Sequence, residues 1–180
     1  MPLKWRKQWI SEEAFESAEV IDVNNDGIPD IVSEAFWYQG PDFRKKDFIG
    51  EVMLRRECFD DYSTIPMDVN GNGFTDFVTG GWWGKTLRWR ENPKGDPAQP
   101  WAEHSIAEIG NIETTRAWDI DGDGQTEILP NTPTNPEVAY YKLITDENGR
   151  GTGKFYGRKE RYKAGSASLN ACSFSMGSPR

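Results

Sequence analysis

Histidine and cysteine, the side chains that most often carry metal and nucleophile chemistry, are almost missing here: one His and two Cys in 180 residues. A lone histidine cannot build a His-based zinc centre. His104 also falls where matching segments carry Gln8 or Lys46, so it reads as an exposed strand position. Cys58 and Cys172 lie far apart, with neither metal-ligand spacing nor the pattern of a disulfide framework. Long apolar runs are missing too. No stretch approaches the roughly 20 apolar residues needed to cross a bilayer. The opening MPLKWRKQWISEE has basic residues but no apolar core of the signal-peptide kind. Positive charge is in the minority, with 21 Lys and Arg against 29 Asp and Glu and a formal charge of −8. That balance argues against a nucleic-acid partner and suits a protein that takes up cations. No window shows apolar residues at helical spacing over three turns.

Aromatic and turn-forming residues are abundant instead. Aromatics make up 13% of the chain, too many for a disordered acidic tail, and 18 Gly and 11 Pro are scattered as in many short strands joined by turns. The chain also repeats itself. Asp22 to Asp30 (DVNNDGIPD), Asp68 to Asp76 (DVNGNGFTD) and Asp119 to Glu127 (DIDGDGQTE) align without gaps, their starts 46 and 51 residues apart. Each is preceded by a short strand-like run (AEVI, TIPM, TRAW) and followed by another (IVSEA, FVTGG, ILPNT). An aromatic strand comes next, from Phe36, Leu87 and Val138. Trp101 to Ile106 then matches Trp5 to Ile10, with Phe43 to Phe48 a looser copy. Each unit reads as four short strands, the size of one propeller blade, and the chain as all-β.

The repeated loops have the chemistry of a calcium site. Ca²⁺ takes six to eight oxygens, supplied best by alternating side chains around a tight turn. The first loop offers Asp22, Asn24 and Asp26, the Ile28 carbonyl, and Asp30 at position nine. The second offers Asp68, Asn70, Asn72, the Phe74 carbonyl and Asp76; the third offers Asp119, Asp121, Asp123, the Gln125 carbonyl and Glu127. An EF-hand would need a bidentate Glu at position twelve. Ser33, Thr79 and Pro130 stand there, which rules that loop out.

The loops, their period and the aromatic strands together resemble the FG-GAP/VCBS repeat family, calcium-loop β-propeller blades related to those of the integrin α-subunit head. Thr79-Gly80-Gly81-Trp82 is the nearest approach to a literal FG-GAP string. The resemblance implies an Asp-rich loop joining the first two strands of each blade, about three Ca²⁺ ions, and an extracellular or periplasmic location. It further implies a partial β-propeller, about three four-stranded blades of a seven-bladed ring. The blades would span about 14–54, 60–109 and 111–162, after a leading strand over 4–10, within a propeller fragment covering 1–165. Residues 166–180 fall out of pattern and read as a disordered tail, and the remaining blades would lie outside this chain. With three, two and four carboxylates, the third loop is expected to bind most tightly and the second most weakly.

Six residues ahead of each loop stand Glu16, Tyr62 and Glu113. With Asp61 and Arg116, Glu16 and Glu113 are weak catalytic candidates, because paired acids beside an Arg suit sugar binding or proton abstraction next to a carbonyl. Trp82, Trp83 and Trp89 invite a carbohydrate-stacking role but read more simply as core between blades. The leading functional expectation is a calcium-stabilised module for extracellular interaction, binding a glycan or a protein. The alternatives are part of the catalytic propeller of a sugar-acting lyase or dehydratase, and a non-functional truncated fragment.

Overall fold

A computed structural model describes residues 2–135 and 137–161. Among them the chain forms strands and no helix. The first sheet runs β1 (Glu19–Ile21), β2 (Asp30–Ser33), β3 (Phe36–Tyr38) and β4 (Lys46–Phe48) in sequence order. A two-stranded ladder, β5 (Leu54–Arg55) with β6 (Cys58–Phe59), lies in the connection that follows. The second sheet is β7 (Ile65–Met67), β8 (Asp76–Gly80), β9 (Thr86–Glu91) and β10 (Ala102–Glu108). The third is β11 (Thr114–Trp118), β12 (Glu127–Asn131), β13 (Glu137–Thr145) and β14 (Gly151–Arg161). All neighbours pair antiparallel, so each large sheet is an up-and-down meander, consistent with a β-propeller-like fold.

The short strands are held by what lies between sheets. An isolated two-stranded ladder is barely stable in water. Here two apolar clusters supply the missing burial, one at each sheet-to-sheet contact. Ile21, Val23, Val32, Trp37 and Ile49 of the first unit close on Phe77 and Trp101 of the second. Val69, Val78, Leu87 and Trp89 of the second close on Ile112, Ile128, Ala139 and Tyr141 of the third. Each fully buried side chain of this size contributes about 1.5–3 kcal/mol. Innermost strands β1 and β11 both neighbour β7, which places the starts of the three sheets side by side. Tyr141 packs against its cross-strand partner Gly157, where an added Cβ would lie 2.8 Å from the ring.

Residues 4–10 form no strand, contrary to expectation. Their analogues β4 and β10 are fourth strands that pair with a third strand. Among the described residues β3, β9 and β13 each already carry a fourth strand, so 4–10 has no edge to join. Gln8 instead donates from Nε2 to the Asp42 carbonyl at 2.9 Å, and Trp5 and Trp9 stand exposed. The expected tail over 166–180, with Cys172, lies outside the described residues. Cys58 is a half-buried free thiol.

Candidate metal sites

The three Asp-rich segments join the first strand of each sheet to the second, and they fold alike. Position four is left-handed in all three, with Asn25 at φ 57°, Gly71 at 72° and Gly122 at 77°. Position six is left-handed as well, and always Gly: Gly27 at 80°, Gly73 at 87° and Gly124 at 89°. Only Gly takes that backbone freely, and Asn tolerates it. The position-one Asp stitches the turn by accepting the position-six N–H: Gly27 on Asp22 (2.9 Å), Gly73 on Asp68 (2.9 Å) and Gly124 on Asp119 (3.0 Å). Position five does the same for position seven: Ile28 on Asp26 (2.8 Å), Phe74 on Asn72 (2.8 Å) and Gln125 on Asp123 (3.0 Å).

Position nine begins the second strand and turns its carboxylate back under the loop. Asp30, Asp76 and Glu127 are all buried, and each accepts the N–H of position two: Val23 (3.1 Å), Val69 (2.9 Å) and Ile120 (2.7 Å). The second oxygen of Asp30 takes the Gly40 N–H (2.7 Å), and that of Asp76 takes the Asn92 N–H (2.8 Å). Burial, with the Asp68 charge adding to it, pushes the Asp76 carboxyl up to about 6. A bound cation would relieve that cost.

The donor set suits a hard cation, being all oxygen, carboxylate or amide, on a preformed turn. In the third loop Asp119, Asp121 and Glu127 bring ligand oxygens within 4.8 Å of one another. In the first, the Asp26 Oδ2 is drawn aside by the Asn24 amide (2.9 Å). The third loop also holds a residue that composition gave no reason to single out. Lys142 of β13 places its ammonium 3.0 Å from Asp121, 2.5 Å from Asp123 and 3.0 Å from Glu127.

Each loop of the first two units is covered by the next sheet. The Asn92 amide donates to the Val23 carbonyl (2.8 Å), and the Gly153 N–H donates to the Val69 carbonyl (2.8 Å). Val23 and Val69 are accordingly 0% exposed, whereas Ile120 at the same position of the third loop is 43% exposed.

The other candidates divide. Glu16, Tyr62 and Glu113 do come together at the start of the sheets: burial first, then the Glu113 charge, raises the Glu16 carboxyl, and both acids bear on the Tyr62 phenol. Arg116 donates instead to Thr114 Oγ1 and the Thr115 carbonyl, both at 3.0 Å. Asp61 is fully buried, accepts the Thr79 hydroxyl, and lies 3.8 Å from Arg88. Burial pushes its carboxyl up to about 6, while the Arg88 charge pulls it down. Sequence reasoning missed its neighbours. Glu34 is buried and accepts the N–H groups of Glu16 (2.7 Å) and Ser17 (3.4 Å); burial raises its carboxyl to about 7. Arg88 and Arg90 both reach Glu103, at 3.1 and 3.4 Å, and donate to the carbonyls of Asp60 and Glu51. They clamp the connection between the first two sheets. His104 is half-exposed, stacked on Trp89 with centroids 4.4 Å apart and bonded to Glu91 at 2.8 Å. Trp89 is buried core, whereas Trp82 and Trp83 are only partly covered.

A family model described as an FG-GAP-like repeat matches residues 68–129, from the first Asp of the second loop to just beyond the third. That segment carries an FG-GAP-like repeat. No curated protein and no solved structure matches the chain.

Proposed function

We propose that this chain is a calcium-braced β-propeller repeat module, each four-stranded sheet one blade, and that it serves extracellular recognition of a glycan or a protein. The observation that supports this reading most is the repetition of one loop geometry at the same place in each sheet, with the same acid turned under it from position nine. Asp22, Asn24, Asp26, the Ile28 carbonyl and Asp30 would hold one ion, and Asp68, Asn70, Asn72, the Phe74 carbonyl and Asp76 a second. Calcium there would neutralise clustered carboxylates and fix the turn between the first two strands of a blade. It would thereby also set the surface on which the next blade rests, since Val23 and Val69 lie on these loops.

A ring of about seven blades would need further blades beyond these three. The uncovered third loop and its neighbour Trp118, 57% exposed, are where one would pack. The extracellular or periplasmic setting follows from the family resemblance and from the millimolar calcium such loops can use. A catalytic role gains less support, because Asp61 and Glu34 are sealed from solvent and Arg116 spends its donors on Thr114 and the Thr115 carbonyl. Thermal unfolding tests the proposal. Each site occupied at a hundredfold excess over its dissociation constant adds about 2.7 kcal/mol. Millimolar Ca²⁺ should raise the melting temperature clearly, and Mg²⁺ less, because Mg²⁺ demands stricter octahedral geometry. Identical melting in calcium and in chelator would remove the calcium reading.

A further inference from the structure

The cross-strand neighbour of position nine differs among the three loops, and it changes what each loop can hold. Glu127 pairs with Lys142. One step beyond the pair Phe77 and Arg90, Asp76 faces Glu91; one step beyond Ile31 and Tyr38, Asp30 faces Gln39. Gln39 is neutral and bonds Asp47 (2.7 Å). Glu91 adds a carboxylate beside the second loop, where its Oε1 accepts the Asn70 amide (2.9 Å). Lys142 brings a positive charge to the third. Carboxylate count ranks the loops three, two and four, but this neighbour levels them. Three acids face a neutral amide, two acids gain a third, and four acids lose one charge to an ammonium.

We propose that Lys142 is the resident cation of the third loop, which is closed by a tethered ammonium and not by calcium. An ammonium has three N–H donors and no acceptor. Here three carboxylates surround it: Asp121 at 3.0 and 3.2 Å, Asp123 at 2.5 Å and Glu127 at 3.0 Å. Those are three of the four acids a calcium ion would use, and an incoming ion has to displace a charge fixed to the same sheet. Tethering gives that charge a high effective concentration at the site. The longer side chain at position nine fits the same account. In the first two sheets the spare oxygen of the Asp meets a backbone N–H, from Gly40 or Asn92. In the third, Glu127 Oε2 keeps the Ile120 N–H and Oε1 faces the lysine. Asp119 is left to hold the turn through Gly122 (2.7 Å) and Gly124.

This inference rests on the calcium reading only for its contrast with the other two loops. Calorimetric titration of the full chain with CaCl₂ should give two ions for the wild type and three for Lys142→Met. In chelator, Lys142→Met should melt a few degrees below wild type, because three acids lose their counter-charge, and adding Glu127→Gln should recover part of the loss. Three ions bound by the wild type, or an unchanged melting temperature for Lys142→Met in chelator, overturns the assignment while leaving calcium binding by the first two loops intact. No heat of binding in any protein, together with the loss in chelator, supports the lysine and removes the calcium reading. If Lys142→Met does not fold in chelator, the wild-type stoichiometry decides alone: two supports the assignment and three overturns it.

Discussion

Replacing Glu34 by Gln should stabilise the protein above neutral pH and leave it nearly unchanged near pH 5. Glu34 is 0% exposed, and one carboxylate oxygen has no hydrogen-bond partner. Burial raises its carboxyl from 4.5 to about 7, with the nearby Asp61 charge adding to the effect. The folded state therefore holds this proton more tightly than the unfolded chain does. Stability from that proton is present at low pH and is lost as pH rises from about 4.5 through about 7. That interval corresponds to about 3 kcal/mol as an upper value, at about 1.4 kcal/mol per pH unit. Gln keeps the oxygen that accepts the Glu16 and Ser17 N–H groups and removes the charge. For a domain of this size 1 kcal/mol shifts the melting temperature by about 2–4 °C. Glu34→Gln should therefore melt higher than wild type at pH 8, by at most about 6–12 °C, in calorimetric scans at constant calcium, with the gap closing by pH 5. A variant that is less stable than wild type at pH 8 would refute the reasoning. It would show that the ionised carboxylate is well paired in the folded protein.

Gly157→Ala should lower stability by about 1–3 kcal/mol in chemical denaturation, the usual cost of overpacking, because its Cβ would meet the Tyr141 ring at 2.8 Å. An unchanged midpoint would mean that the ring can slide. Asp76→Ala should cost at least about 2 kcal/mol in chelator, since it strands the buried N–H groups of Val69 and Asn92, and should cost more in calcium. Equal losses in the two conditions would show that Asp76 braces the loop without touching an ion. The chain should self-associate at micromolar concentration through the uncovered face around Trp118 and Ile120, and the double change Trp118→Ser and Ile120→Lys should weaken that in sedimentation. A monomeric wild type would mean that the three sheets suffice by themselves.

The architecture was legible where local chemistry and repetition agree. Turns of the form Asp-x-Asn-Gly-Asn-Gly can fold in few ways, and the strands on either side of them lie where the short flanking runs predict. Trp5 to Ile10 misled for the opposite reason. A strand needs an edge as well as a sequence, and among the described residues no third strand stood free for it. Lys142 was invisible because it lies 15 residues beyond Glu127 and meets it only once the register of β12 on β13 is set. Charge counting within the nine-residue segment could not include it. The burial of Glu34 and Asp61 was hidden similarly: nothing local distinguishes a surface acid from one sealed between two sheets. Tyr141 looks like surface in an aromatic pair, yet the bare Gly157 opposite draws it into the core.

The central claim is that the first two loops hold calcium through the acids at positions one and nine. The most direct measurement is the amide resonances of Gly27, Gly73 and Gly124 in a ¹⁵N-labelled chain titrated with calcium. Each of these N–H groups is bonded to the position-one Asp and reports on its carboxylate. The account predicts large, saturable shifts at Gly27 and Gly73 below millimolar calcium and little change at Gly124. Resonances of Gly27 and Gly73 that stay in place at millimolar calcium would contradict it.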